Sequence, residues 1–127
     1  MSRAELESLG RRAVACAGWR WMDGMRLASA KWARVLVVDE HDMVAAEEGA
    51  TEDDNYAVWI SLGDGIPDLS DPATLGCLLA LVREKWGSVY AKPEEDRWTV
   101  RGPTGHIVGQ GPTEAEALVA ALEASNG

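Results

Sequence analysis

The spacing of apolar residues divides the chain into helical and extended stretches. From Ser2 to Cys16, the residues Leu6, Leu9, Ala13 and Cys16 recur at three- and four-residue steps. That period lines one face of a helix. Ser2 and Glu5 have capping-box spacing, in which each side chain satisfies a backbone N–H at the helix start. Gly18 supplies a stop. Asp71 to Trp86 carries the strongest pattern, with Leu75, Leu78, Leu79, Val82 and Trp86 on one stripe. Cys77 and Leu81 widen the stripe, which predicts a helix buried on more than one side. Asp71 suits the N-cap and Pro72 the first helical position, and Gly87 ends the run. Pro112 to Ala124 predicts a last helix, capped by Thr113 and Glu116, with Ala115, Leu118, Val119 and Leu122 facing inward.

Between the helices the pattern becomes extended. Trp19 to Leu27 reads as a short unit broken by Asp23-Gly24, with Trp19 and Trp21 on one face and Arg20 on the other. Trp32 to Asp39 holds the run Val35-Leu36-Val37-Val38 and predicts a central strand. Tyr56 to Leu62 predicts another, broken by Gly63-Asp64-Gly65 and Pro67. Ser88 to Lys92, Arg97 to Arg101 and His106 to Gly109 predict an antiparallel meander, because Pro93-Glu94-Glu95-Asp96 and Gly102-Pro103-Thr104-Gly105 are turn-rich. The expected class is therefore α+β: an antiparallel β-sheet flanked by about three helices, sandwich-like, with a C-terminal α-β-β-β-α unit. A chain of 127 residues fits a single domain with its own core.

Charge adds a feature that periodicity does not show. The formal net charge is -9, unevenly distributed. Residues 1–34 carry seven basic and three acidic side chains, whereas residues 35–71 carry eleven acidic and no Lys or Arg. Residues 39–55 lack a clear period and predict an exposed, mobile acidic loop. Glu47, Glu48, Glu52, Asp53 and Asp54 make it a candidate surface for a basic partner protein. Such a charge balance repels phosphate backbones, so no direct nucleic-acid contact is expected. The α-β-β-β-α order invites comparison with double-stranded RNA-binding domains, which place cations at the start of the last helix. Here that turn reads Thr113-Glu114-Ala115-Glu116.

Three stretches carry a resemblance. They are Gly18-Trp19-Arg20-Trp21-Met22-Asp23-Gly24-Met25, the segment from Asp71-Pro72-Ala73-Thr74-Leu75 through Glu84-Lys85-Trp86-Gly87, and Thr113-Glu114-Ala115-Glu116 through Leu122-Glu123-Ala124. Together they are similar to small phage and phage-like proteins of the phage ABA sandwich domain family, over most of the chain except 39–54. The resemblance implies an antiparallel sheet between helices, a viral accessory role and no catalytic residues to transfer.

Candidate chemistry is sparse. His41 and His106 lie outside any Ser- or Cys-centred motif, so no nucleophilic enzyme is predicted. Asp39, His41 and Asp42 match neither a zinc nor a calcium spacing and read as a polar turn. The acidic pairs lie in a polar stretch that would not raise a carboxyl pKa. The run Gly105 to Gly111 matches no phosphate-loop fingerprint. Cys16 and Cys77 lack CxxC spacing and are expected to be buried, reduced thiols. No cofactor and no metal is expected.

Six tryptophans and no phenylalanine make the aromatic set unusual. Trp59 and Trp86 fit core stripes. Trp19 and Trp21, with Arg20 and Arg26, form a candidate ligand-binding patch in which rings stack on a base and guanidinium groups take a phosphate. The same tryptophans also suit a core without phenylalanine. The expected function is a non-enzymatic viral binding protein, a counter-defence inhibitor acting by protein–protein contact with a host or viral protein. The alternatives are a protein that sequesters a small nucleotide-like signal, with a pocket at a homo-oligomer interface, and a virion or assembly component. No apolar run approaches the ~20 residues of a membrane span. The first residues lack a signal-peptide pattern, so a cytoplasmic location in an infected host cell is expected.

Overall fold

The computed structural model describes residues 2–28, 33–39, 42–47, 59–61 and 65–125. Three helices, α1 (Arg3–Val14), α2 (Pro72–Trp86) and α3 (Glu114–Ala124), combine with six strands in an α+β fold. Among the described residues the strands form two antiparallel sheets. One holds β1 (Ala33–Asp39), β2 (Asp42–Glu47) and β3 (Trp59–Ser61) in the order β1-β2-β3. The other holds β4 (Tyr90–Pro93), β5 (Trp98–Arg101) and β6 (Ile107–Gly111) in the order β4-β5-β6.

All three N-caps are those predicted. Ser2, Asp71 and Thr113 accept from the backbone N–H three residues on, in α1, α2 and α3 respectively. Gly87 ends α2 at φ 83, a backbone conformation that favours glycine. The meander is also present, and the unit α2-β4-β5-β6-α3 follows the predicted order.

Two expectations are corrected. Asp42–Glu47, assigned from its sequence to the acidic loop, is a strand whose Ala45 pairs with Val35 and whose Ala46 pairs with Trp59. The apolar residues Val44 to Ala46 find a ladder partner on each side, and that non-local pairing overrides their weak strand propensity. β2, rather than β1, is therefore the middle strand of its sheet. On its other side β1 meets the 24–26 segment: Val35 N–H donates to Met25 O, Gly24 N–H donates to Val35 O, and Arg26 bridges to Arg34. The predicted strand Tyr56–Leu62 is described only at β3, and residues 48–58 of the acidic stretch lie outside the described residues.

The core lies where α3 crosses the β4-β5-β6 sheet and α1 and α2 close over it. Ala117, Leu118, Val119, Ala121 and Leu122 of α3 are fully buried with Ala13, Leu78, Leu81, Val82 and Val100. Gly109 of β6 allows the close approach: a Cβ there would stand 2.4 Å from Ala117 O and 2.6 Å from Ala121 N. Small residues on α3 and the absence of a side chain at Gly109 bring helix and sheet backbones together.

Candidate functional site

The segment 19–27 is where the aromatic and basic patch was expected, and it is a turn-containing linker rather than a strand. Trp19 N–H donates to Cys16 O, and Met25 N–H donates to Met22 O across the Asp23-Gly24 turn. The rings of Trp19 and Trp21 meet edge-to-face, with centroids 5.5 Å apart at 81°. Both are half-buried and pack against the core, and Trp19 Nε1 is buried with no hydrogen-bond partner among the described residues. The alternation expected of this segment survives without a strand, since the two indoles point inward and Arg20 is exposed.

Its two arginines do not converge. Arg20 forms a two-bond ion pair with Glu84 near the end of α2, one bond being Nη2–Oε1 at 2.6 Å. This contact holds the Glu84 carboxyl below its ordinary value. Arg26 lies at the other end of α2: its backbone N–H donates to Thr74 Oγ1 at 2.9 Å and its Nη1 stands 3.8 Å from Asp71 Oδ1. Thr74 and Glu84 are ten residues apart on one helix, about 15 Å. Trp19, Arg20, Trp21 and Arg26 therefore do not form one pocket. Of the candidate protein-interface residues, Glu47 closes β2, paired with Ala33, while Glu48, Glu52, Asp53 and Asp54 lie outside the described residues.

The linker feeds a polar cluster that sequence spacing did not reveal. Asp71, 4% exposed at its side chain, accepts from Arg34 Nη1 at 2.9 Å and Nη2 at 3.1 Å, and from Thr74 N and Oγ1 at 2.9 Å each. Arg34 Nη1 also donates to Gly24 O. The Arg34 guanidinium, helped by both Thr74 bonds, pulls the Asp71 carboxyl down to about 2 against the opposing effect of burial. This cluster ties β1, the 24–26 segment and the start of α2 together. Cys77, half-buried on the adjoining face of α2, has its Sγ 3.8 Å from Asp23 O, and burial pushes its thiol up. Cys16 is buried, and neither cysteine is in a disulfide.

A different surface is left uncovered. β5 turns Trp98 and Val100 towards α3, so Thr99 and Arg101 belong to the opposite face of the sheet. The register places Tyr90 and Ile107 on either side of Arg101. These two flanking residues are the large hydrophobic side chains that are exposed among the described residues, at 45% and 40%. Arg101 lies between them, with Nη2 donating to Glu94 Oε1 at 2.6 Å and Nη1 to Gly105 O at 2.7 Å. Lys92, Thr99 and Gln110 form the next row, in which Thr99 is fully buried with its hydroxyl donating to Glu94 Oε1, and Arg97 Nη1 donates to Gln110 Oε1. Arg97 and Arg101 both pair with Glu94, whose pKa the Arg101 contact lowers. This cationic, partly apolar face belongs to a chain of net charge -9. Alternation along β4, β5 and β6 was legible in the sequence, but the side covered by α3 was not.

These features define an α+β domain in which one face of the β4-β5-β6 sheet packs against α3 and the other carries the exposed Tyr90 and Ile107. No family model, no curated protein and no solved structure matches the chain. No helix is long and apolar enough to cross a membrane, and no group of three or more His, Cys, Asp or Glu side chains is placed to hold a metal ion, among the described residues.

Proposed function

We propose that this chain is a non-enzymatic viral accessory protein that inhibits a host protein by direct contact, and that the outer face of the β4-β5-β6 sheet is its docking surface. One observation carries the reading: the two exposed large hydrophobic side chains, Tyr90 and Ile107, flank the guanidinium of Arg101 in one cross-strand row. Aromatic and arginine side chains side by side are the composition of interface hot spots. Lys92 and Arg97 extend the row with positive charge, so the partner presents an acidic, partly apolar patch. The viral character rests on the sequence resemblance of the 18–25, 71–87 and 113–124 segments. The acidic residues 47–54 supply a second contact of opposite sign, suited to a basic site on the same partner.

The test is a stoichiometric complex from lysate of the infected host, followed by native mass spectrometry with three forms of the protein. Tyr90→Ala/Ile107→Ser should lose the partner while keeping the fold. A form with Glu47, Glu48, Glu52, Asp53 and Asp54 neutralised should bind more weakly and lose part of the salt dependence. If both forms retain the partner as the unmodified protein does, or if the unmodified protein captures none, the proposal fails.

A further inference from the structure

The end of α2 and the start of β4 border an open surface groove lined by Arg83, Gly87, Ser88, Val89 and Tyr90, of which only Val89 is buried. Its chemistry differs from that of the outer sheet face. Arg83 Nε donates to Val89 O at 2.9 Å, which fixes the plane of the guanidinium. Its two Nη groups, the Ser88 hydroxyl and the Tyr90 hydroxyl have no hydrogen-bond partner among the described residues. A pre-aligned guanidinium fork, a hydroxyl and a half-exposed aromatic ring thus line one wall.

An added β-strand is the other natural occupant of a groove beside an edge strand, and the backbone argues against it. Glu94 N–H bonds to Arg97 O, which sets the alternation of the β4-β5 ladder. Val89, Ala91 and Pro93 then turn their backbone groups to the open edge. Val89 O is already taken by Arg83, and Pro93 has no N–H. Ala91 alone offers both a donor and an acceptor, too little for a docked strand.

The local charge favours an anion. Glu84, the acidic neighbour in sequence, is closed on Arg20, leaving Arg83 and Lys85 in the last turn. The helix end contributes about half a negative charge, which Arg83 alone outweighs. We infer that this groove binds a small phosphorylated aromatic molecule, of which a nucleoside monophosphate is the simplest. The Arg83 fork and Ser88 hydroxyl take the phosphate, and the Tyr90 ring takes the base. The groove shares Tyr90 with the docking face but not Ile107, and the docking face lacks Arg83, so Arg83→Gln and Ile107→Ser separate the two readings.

The test is an NMR titration of the full chain with adenosine monophosphate, repeated with adenosine and with inorganic phosphate. The expected result is saturable shifts of the amides from Gly87 to Ala91. Arg83→Gln should weaken binding about tenfold or more, the effect of losing a charge-assisted pair. Arg83→Lys, which keeps the charge and loses the fork, should recover only part of it, with an unchanged spectrum elsewhere confirming the fold. Ile107→Ser should leave the nucleotide shifts unaltered. Absence of saturable shifts up to about 10 mM nucleotide, equal affinity in folded Arg83→Gln, or inorganic phosphate binding as tightly as the nucleotide would overturn the assignment.

Discussion

Arg34, near the start of β1, holds the buried Asp71 carboxylate through two bonds of 2.9 and 3.1 Å, and the same carboxylate caps α2. One side chain thus ends a helix and fastens a sheet to it. Four of the seven basic residues in 1–34 are placed in this way: Arg12 pairs with Glu123, Arg20 with Glu84, and Arg26 and Arg34 with Asp71. The N-terminal third is joined to the later helices by ion pairs as well as by apolar contact.

Removing that carboxylate should cost more than an ordinary cap. Asp71→Ala loses both Thr74 bonds and leaves two arginines short of a partner, so we expect about 3 kcal/mol of destabilisation in urea. Asp71→Asn keeps the capping oxygen and should cost about half as much. Equal losses in the two variants would show that the cap contributes nothing beyond the ion pair.

The same contact predicts an acid limb. A carboxyl lowered to about 2 in the folded chain, from its ordinary 3.8, contributes stability that is complete above the unfolded value. That contribution is lost as pH falls through the window from about 4 to about 2, and amounts to about 2 kcal/mol. Urea midpoints measured across this window should fall less steeply in Asp71→Asn than in the unmodified chain.

Gly109→Ala should be among the most damaging single-methyl additions. The new Cβ meets Ala117 O and Ala121 N, which are helix backbone and cannot swing aside. Overpacking of this kind costs about 2–3 kcal/mol, readable as a lowered melting temperature. Gly76→Ala, in an exposed position of α2 with open space around it, should instead stabilise by about 0.5–1 kcal/mol.

Two tryptophans provide a paired comparison. Trp86 Nε1 donates to Ala121 O at 2.8 Å, whereas Trp19 Nε1 is buried with no partner among the described residues. Trp86→Phe removes a made bond, and Trp19→Phe removes an unmet donor. Trp86→Phe should therefore be the more destabilising by about 1–2 kcal/mol. A reversed order in thermal melts would place a partner on the Trp19 nitrogen.

Most of the secondary structure was legible because its signals are local. Ser2, Asp71 and Thr113 stand where helix caps must, and each accepts the expected backbone N–H. Thr113 and Glu116 announce α3 before any packing is considered. The stripe of α2 was read correctly, but Leu81, placed at its margin, is fully buried, and Leu79 is only half-buried. A stripe gives direction to within a residue, and the neighbours that settle it come from α3 and the sheet. β2 was missed because Met43 to Ala46 form a strand only when Val35 and Trp59 flank it.

The candidate patch shows the same division. Sequence proximity grouped Arg20 with Arg26, but along the chain they pass opposite ends of α2 and meet Glu84 and Asp71. The Tyr90–Arg101–Ile107 row has no sequence signature, because its members are eleven and six residues apart and join only through strand register.

The sequence by itself determined the helix limits, the C-terminal α-β-β-β-α order, the α+β class and the uneven charge. These follow from capping chemistry, residue period and counting, each confined to a few neighbouring positions. Only the tertiary structure decided that the strands fall into two sheets, which arginine each carboxylate holds, and which face of the β4-β5-β6 sheet packs against α3. Those outcomes depend on which distant surfaces meet, and a packed core settles them through the space that Gly109 leaves for α3.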